Sequence, residues 1–522
     1  MQEACYASSR FLLMLPRNSF PKICVALGLS DSQQLMEHAR REIDAGETFL
    51  EIRLDYLSDP RQGIGVIHEL TRERPEVSIL ATCRRHQNHG RFNGSIEDQI
   101  HLLSQAIDAG ARAVDLEIES AELANGKLEI LRSRSCFIVS YHNFESTPAL
   151  DPIVRRLMKV AADAYKVVTT ARKPSDVGRI LELAKMHPRT PFILLAMGEQ
   201  GIPSRILSPA LGGLYTYAAP SNAEGTAAGQ MSSRLLRSVY RLDKLSRTAR
   251  IFGVIADPVR HSISPAVHNR AFQARRIDGV YVPFLTPAAQ LRDFMTLAKQ
   301  LPVAGFSVTI PHKQRILRYL DVIDPLARRI GAVNTVWRKA GKWRGANTDA
   351  YGVLAPLQKR LRIAGSSVLI AGNGGAARAA ACALADAGAR VALVGRNMDR
   401  VRALARTCGA TALNLQGALA QEFDVFIHAT PLGMHPHIDQ CFFPDRIPAA
   451  VVFDMVYNPL ETLLLQRARE QGRETITGLE MFLEQAARQF EIWTGESAPR
   501  PAMERAACEA LGQSMAVANG AR

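Results

Sequence analysis

The sequence predicts an α/β protein in two successive parts: an eight-fold (β/α)8 barrel, then a two-domain unit containing a dinucleotide-binding parallel sheet. Three observations predict it. Short apolar runs recur eight times before residue 220, with amphipathic helical stretches between them. A glycine turn, Gly372-Asn373-Gly374-Gly375-Ala376-Ala377-Arg378, follows an apolar run and opens an alanine-rich helix. A charged segment near Arg247 divides the two patterns.

The eight runs are Ile23–Leu27, Phe49–Leu54, Ser78–Thr82, Ala113–Ile118, Cys136–Tyr141, Tyr165–Val168, Phe192–Ala196 and Leu214–Tyr217. Helical patterns such as Gln34–Ala45, Ile96–Ala109 and Ile153–Ala162 separate them. A spacing of roughly 20–35 residues fits repeated βα units, and eight such units close a TIM barrel, whose chemistry lies at the C-terminal ends of the strands. The second run ends in Glu51-Ile52-Arg53-Leu54-Asp55, and period-two alternation puts Glu51, Arg53 and Asp55 on one face. The third run leads to Arg84, the fifth to His142, and the sixth holds Lys166 beside Val167 and Val168. A lysine in an apolar strand is costly to bury charged, so its pKa should fall, giving an amine able to form a Schiff base with a ketone. Taken alone, Lys166 fits equally well as a lysine snorkelling from a strand end. His142 lies one βα step earlier and suits proton transfer beside that lysine. Arg205, after the seventh run, has the planar fork that clamps a carboxylate. Each of these also reads singly as a surface or structural residue. Their convergence on one rim carries the argument.

The second part begins with a strand at Ile251–Ile255, so the boundary falls near residues 243–250. Val368–Ala371 is a buried strand, the glycine turn follows, and Ala376–Ala387 is the helix whose N-terminus receives a pyrophosphate. The next strand, Val391–Val394, ends in Gly395-Arg396, where an NAD enzyme would carry an acid. Arg396 instead favours a 2′-phosphate and hence NADP, the alternative being a solvated strand end. His261-Ser262-Ile263-Ser264-Pro265 offers hydroxyls for a carboxylate or forms an ordinary helix cap. Thr309-Ile310-Pro311-His312-Lys313, Asn334-Thr335 and Gly345-Ala346-Asn347-Thr348-Asp349 each follow strand-like runs. Lys313 and Asp349 on converging loops would tune each other for proton transfer, or form a plain surface salt bridge.

Bulk composition narrows the function classes. A chain of 522 residues favours two to four domains. Its 47% hydrophobic and 22% charged content is that of a soluble globular protein. The run Phe11–Leu15 is far below the roughly 20 residues a membrane span needs, and it lacks a signal-peptide cleavage site. Residues 1–19 read as a loose N-terminal extension. The eight cysteines are scattered without a CxxC pair, which points to a reduced, cytoplasmic compartment. No His, Cys and acidic residues have metal-ligand spacing, and His86 with His89 reads as a solvated pair. The net charge of +14 raises nucleic acid as a partner, but the basic residues are diffuse, without a basic run or interleaved aromatics. Such diffuse basicity instead suits small anions.

Residues 20 to about 243 resemble the type I 3-dehydroquinate dehydratases. The resemblance is carried by Glu51-Ile52-Arg53, Thr82-Cys83-Arg84, Ser140-Tyr141-His142-Asn143-Phe144, Lys166, Ser204-Arg205 and Thr226-Ala227-Ala228-Gly229-Gln230. It implies that Lys166 is the Schiff-base lysine, carrying a covalent substrate imine, and His142 the general acid/base. Arg205 would hold the substrate carboxylate, while Glu51, Arg53, Arg84, Thr226 and Gln230 would contact hydroxyls or order a lid loop. Thr226 replaces the family's common serine. Asn88 stands where the family usually has a glutamate near the catalytic histidine, which implies slower turnover or a shifted pH optimum.

Residues 250–518 resemble shikimate dehydrogenases through the serine pair, the Thr309–Lys313, Asn334-Thr335 and Gly345–Asp349 segments, the glycine turn, Thr430-Pro431-Leu432-Gly433-Met434 and Gly478-Leu479-Glu480-Met481 with Gln485. By that resemblance Lys313 and Asp349 are the catalytic pair. Ser262, Ser264, Thr309, Asn334 and Gln485 would bind shikimate, with Tyr457 near it, and Gly372, Gly374, Gly375, Arg378, Arg396 and Thr430 would line a Rossmann-like NADP site. The family's usual Asn-Arg-Thr after the second strand reads Gly395-Arg396-Asn397.

The resemblances together imply a cytoplasmic bifunctional enzyme of the shikimate pathway, a lyase and an NADP-dependent oxidoreductase, feeding aromatic amino acid biosynthesis. It would take small anionic substrates, need no metal, bind neither nucleic acid nor membrane, and be a monomer or homodimer. The expected division is 1–19 extension, 20–245 barrel, 248–358 substrate-binding domain, 359–478 NADP domain and 479–518 returning helices. The competing reading is an NADP-dependent shikimate or quinate dehydrogenase with an inactive scaffold barrel.

Overall fold

The computed structural model describes residues 20–124, 126–221, 225–227, 229–260 and 262–520, with the side chains of 513–520 outside the description. The expected extension 1–19, and His261 and Ala228 of the quoted motifs, lie outside the described residues. The chain divides into two compact units, Met1–Arg250 with Val282–Pro302, and Ile251–Tyr281 with Val303–Arg522.

The first unit is built on eight parallel strands: β1 (Ile23–Leu27), β2 (Phe49–Arg53), β3 (Ser78–Thr82), β4 (Ala113–Glu117), β5 (Cys136–His142), β6 (Ala164–Thr170), β7 (Phe192–Met197) and β8 (Thr216–Ala218). They stand in the order β7-β6-β5-β4-β3-β2-β1-β8, with β1 paired in parallel to both β2 and β8. At the remaining seam the Leu214 N–H donates to the Phe192 carbonyl at 2.8 Å, so the barrel is nearly closed. Its interior is filled by Cys24, Ala26, Phe49, Leu80, Ile138, Ile193 and Tyr215, all buried.

The helices are specified locally. Asp31 caps Ser32–Asp44 by accepting from the Gln34 N–H at 2.8 Å. Ser95 and Asp98 exchange hydrogen bonds as a capping box at the start of Ile96–Asp108. Two expected boundaries move. The helix expected at 153–162 runs over Leu150–Leu157, because Pro152 is tolerated only in a first turn and so fixes the start. β2 stops at Arg53, and Asp55 lies in the 3-10 turn Leu54–Tyr56 instead of extending the strand face.

The remaining strands form two six-stranded sheets. The first contains β9 (Arg250–Ala256), β10 (Gly279–Leu285), β11 (Val303–Val308), β12 (Val322–Ile323), β13 (Thr335–Lys339) and β14 (Lys342–Ala346), in the order β10-β9-β11-β13-β14-β12. β13 and β14 are an antiparallel hairpin whose two turn residues, Ala340 and Gly341, both have positive φ (50° and 76°), as a tight primed turn requires. The second sheet is wholly parallel: β15 (Ser367–Ala371), β16 (Arg390–Val394), β17 (Thr411–Leu413), β18 (Phe423–His428), β19 (Ala449–Asp454) and β20 (Glu474–Ile476), in the order β17-β16-β15-β18-β19-β20. Val368 and Ile370 face one apolar cluster and Leu369 and Ala371 another, so β15 is covered on both faces, as central parallel strands are. The chain leaves β15 toward β17 and returns at β18, and that reversal opens a ligand crevice at the strand C-termini.

Candidate active sites of the two units

A layer of polar side chains crosses the barrel axis. Glu51 comes from β2, Asp115 from β4, Lys166 from β6 and Tyr217 from β8, the alternate strands that share one interior layer of such a barrel. The Lys166 ammonium group, 4% exposed, donates to Asp115 Oδ2 at 2.8 Å and to the Tyr217 hydroxyl at 2.9 Å. Glu51 Oε1 stands 3.9 Å from the same nitrogen and accepts from Thr82 at 2.7 Å. Ser140 donates to Asp115 Oδ1 at 2.6 Å. Burial works to raise the Asp115 carboxyl, but Lys166, Arg84 and the hydrogen bonds from Lys166 and Ser140 outweigh it and hold it below its ordinary value.

His142, at the end of β5, is half-buried and stacks on Phe144 with ring centroids 6.0 Å apart. Burial, then the cations Arg84, Lys166, Arg53 and His89, push its proton affinity well below that of an ordinary imidazole. The ring is therefore unprotonated at physiological pH, with a nitrogen lone pair free to accept a proton. Arg84 lies within the barrel mouth, and its Nε and Nη2 are buried without a hydrogen-bond partner. Buried guanidinium donors left open in this way suit an anionic or hydroxylated ligand. Arg53 is engaged: its guanidinium grips Asp55 through bonds of 2.9 and 2.8 Å. Arg205 is buried in the helix Ile202–Leu207, and burial lowers its pKa to about 10. Gln230 donates to the Thr226 hydroxyl at 3.3 Å and accepts from the Ala227 N–H, so these two predicted residues order their own loop.

Asn88 does not turn toward His142. Its amide donates to Glu119 Oε2 at 2.9 Å. The neighbouring His89 adopts φ 59° and is exposed, as expected of a solvated residue, while its ring also lies tilted against Phe144 with centroids 4.2 Å apart. Asp115 and Tyr217 were missing from the sequence reading. Asp115 had a visible signal, an acid within the apolar run Val114-Asp115-Leu116. Tyr217 had none, because an aromatic in a barrel strand reads as core.

The second unit brings Lys313 and Asp349 together at 2.5 Å. Asp349 opens the helix Asp349–Gln358, and its other oxygen accepts from the Asn334 amide at 2.8 Å. Asn334 Oδ1 accepts from the Thr348 N–H and the Thr335 hydroxyl, both at 2.7 Å, which fixes the amide orientation. The Asn334 amide also reaches Gln485 Oε1 at 3.4 Å. Tyr457 packs on Phe482, one turn before Gln485, with ring centroids 5.2 Å apart. The serine pair is no conventional cap: Ile263 is the N-cap of Ser264–Ala274 without a side-chain bond, while Ser262 Oγ accepts from the Ser264 N–H at 3.3 Å. Thr309 follows β11 directly, held through its N–H to the Ile255 carbonyl at 3.2 Å.

The glycine turn connects β15 to the helix Gly375–Asp386, with Gly374 as N-cap. Gly372 has φ 124°, and a Cβ there would lie 2.6 Å from the Ala429 carbonyl oxygen, so no other residue fits. Gly374 has open space around it, leaving room for a ligand against the helix N-terminus. A Cβ on Gly375 would meet the Lys313 side chain at 3.6 Å, which brings the proposed proton donor to the nucleotide turn. Arg378 Nε is buried there without a partner. Arg396 is exposed just past β16, and Asn397 caps the next helix by accepting from the Arg400 N–H at 3.0 Å. Thr430 lies two residues past β18, on the other side of the switch point. Among the described residues no cluster of three or more His, Cys, Asp or Glu could hold a metal ion, and no helix is long and apolar enough to cross a membrane.

Comparison with known proteins follows the same division. Residues 23–247 match the type I 3-dehydroquinase family, 254–336 the shikimate dehydrogenase substrate binding domain, 355–439 the shikimate / quinate 5-dehydrogenase family and 478–508 the shikimate 5'-dehydrogenase C-terminal domain. A chloroplastic bifunctional 3-dehydroquinate dehydratase/shikimate dehydrogenase of Arabidopsis thaliana is 33% identical over 92% of this chain and 83% of its own. The shikimate dehydrogenases (NADP(+)) of Methanosarcina acetivorans and Bacillus cereus are 42% and 40% identical, each over 50% of this chain and 99% of theirs. With both sites on one polypeptide, this chain belongs to the family of bifunctional 3-dehydroquinate dehydratase/shikimate dehydrogenases.

Proposed function

We propose that Lys166 is the nucleophile of the first site and that the division into domains follows 20–245, 248–358, 359–478 and 479–518. The observation that carries the reading is a buried lysine amine held between Asp115 and Tyr217, beside a neutral imidazole. Lys166, once its ammonium group has passed a proton to the adjoining Asp115 carboxylate, adds to the ketone of 3-dehydroquinate, and loss of water gives an imine. The imine withdraws electrons from the neighbouring carbon, so His142 can remove its proton. The electron pair then expels the hydroxyl one carbon further on, and His142 returns the proton to it as water leaves. Hydrolysis frees 3-dehydroshikimate and the amine, and no metal is required. Arg84 and Arg205 supply the positive donors an anionic substrate needs.

In the second site Lys313 gives a proton to the developing alkoxide oxygen while Asp349, itself held by the Asn334 amide, keeps its ammonium group in line. NADPH, when bound, supplies the hydride. The fit for a dinucleotide rests on Gly372, the open space at Gly374 and the buried Arg378 donor. Arg396 favours the 2′-phosphate, so NADP is the proposed cofactor, as the names of the two microbial relatives also suggest. Ser262, Ser264, Thr309, Asn334, Gln485 and Tyr457 would hold shikimate. Borohydride added with 3-dehydroquinate tests the covalent step: mass spectrometry should find a reduced adduct on Lys166, and its absence would favour an inactive scaffold barrel.

A further inference from the structure

Beneath the crevice of the parallel sheet lies a buried histidine with no part in the chemistry described so far. His428 is the last residue of β18, 1% exposed, and is directly paired across the ladder with Asp454, the last residue of β19. Its Nδ1 is 2.9 Å from Asp454 Oδ1, and its Nε2 is 2.5 Å from the Thr430 hydroxyl. Phe426 and Phe442 pack around the ring, with centroids 6.4 and 6.2 Å away. Asp454 is itself saturated with donors, accepting from the Val456 N–H at 3.0 Å and the Thr462 hydroxyl at 2.5 Å.

This arrangement fixes a tautomer. A carboxylate that receives other donors can only accept, so the proton between His428 and Asp454 belongs to Nδ1. In the neutral ring Nε2 is then an acceptor, and the Thr430 hydroxyl must donate to it. One lone pair of Thr430 Oγ1 is approached by the Leu432 N–H at 3.4 Å, and the hydroxyl oxygen keeps accepting capacity for a ligand. The location gives that ligand its chemistry. The Ala429 carbonyl packs against Gly372, so Thr430 borders the pyrophosphate turn. Arg396 follows β16 on one side of the switch point and Thr430 follows β18 on the other. A dinucleotide laid across the crevice with its 2′-phosphate at Arg396 has its nicotinamide half at Thr430.

We propose that His428 and Asp454 form a positioning dyad that locks the Thr430 hydroxyl as a hydrogen-bond acceptor for a ribose hydroxyl or carboxamide N–H in the nicotinamide half of NADP(H). The inference rests on the cofactor reading above and adds to it the residues that set hydroxyl direction. Neither side chain touches the cofactor; both act through Thr430.

The test is a double-mutant cycle on the full chain, read by NADPH fluorescence titration and by competition with 2′,5′-ADP, which lacks the nicotinamide half. Thr430→Val and His428→Leu should each weaken NADPH binding roughly tenfold, the scale of one hydrogen bond to a buried partner. The double variant should bind no worse than the weaker single, and 2′,5′-ADP affinity should stay unchanged throughout. Asp454→Asn, which keeps side-chain size but frees the tautomer, should reproduce the selective loss if His428→Leu folds poorly. Additive losses, equal losses for 2′,5′-ADP, or full NADPH affinity in both His428→Leu and Asp454→Asn would overturn the dyad. A wild-type chain that binds 2′,5′-ADP and NADPH while the variants do likewise defeats this inference alone. A wild-type chain that binds neither defeats the cofactor reading and the dyad together.

Discussion

Lys166 and Asp115 meet at 2.8 Å although β5 stands between their strands, because both side chains belong to the layer that alternate barrel strands project inward. Asp115 therefore holds the Lys166 nitrogen in place across the barrel axis. Lys166→Ala should abolish dehydration and borohydride trapping. Asp115→Asn should lower dehydratase kcat by roughly ten- to a hundredfold, the effect of one charge-assisted hydrogen bond in a closed site. Steady-state assays of both variants check this, and shikimate formation from added 3-dehydroshikimate should be untouched.

His142 should carry the pH dependence of the first site. Burial and the surrounding cations lower its proton affinity, so this proposed general base stays neutral below the ordinary imidazole range. The acid limb of the dehydratase kcat/KM profile should accordingly lie below pH ~6.5. Arg84→Met removes a cation and should move that limb to higher pH, while His142→Ala should cost roughly 10²- to 10⁴-fold in kcat. A limb that does not move in Arg84→Met would show that arginine to be electrically unimportant to His142.

Much of this was legible in the chain, and the limits were physical. Lys166 and His142 announce themselves because polar groups at the ends of apolar strands are costly unless used, and strand parity is local. Tyr217 was not legible, since its meeting with Lys166 depends on β8 returning to β1. Asn88 was read correctly as lacking charge, yet its bond to Glu119 depends on how the loop after β3 folds over. His428 gave no sequence signal, because its partner Asp454 is reached only through the strand ladder.

In the second site the 2.5 Å pair should separate binding from chemistry. Lys313→Ala and Asp349→Asn should each lower shikimate dehydrogenase kcat by roughly 10²- to 10⁴-fold while NADPH affinity changes little, since neither group is needed to grip the nucleotide. Stopped-flow reduction of 3-dehydroshikimate measures this directly.

Arg396 should set cofactor choice. Its loss in Arg396→Ala should weaken NADP by roughly ten- to a hundredfold relative to NAD, the range of a hydrogen bond to a charged phosphate. Comparing kcat/KM for the two cofactors checks it, and an unchanged ratio would return Arg396 to a solvated strand end.

His268 predicts an acid weakness of the second unit. It is fully buried, stacked on Tyr281 at 4.5 Å, and burial lowers its pKa from 6.5 to about 3. Between those values the unfolded chain binds a proton that the folded chain refuses, so stability falls as pH drops from 6.5 toward 3. All three tryptophans, Trp337, Trp343 and Trp493, belong to this unit, so urea midpoints followed by tryptophan fluorescence report it selectively. His268→Phe should flatten the loss between pH 7 and pH 5.

The most direct test of two active sites on one chain supplies purified protein with 3-dehydroquinate and NADPH and follows shikimate by chromatography. Wild type should form shikimate with matching NADPH loss, Lys166→Ala should form it only from 3-dehydroshikimate, and Lys313→Ala should stop at 3-dehydroshikimate. Shikimate made from 3-dehydroquinate at full rate by Lys166→Ala would contradict the account.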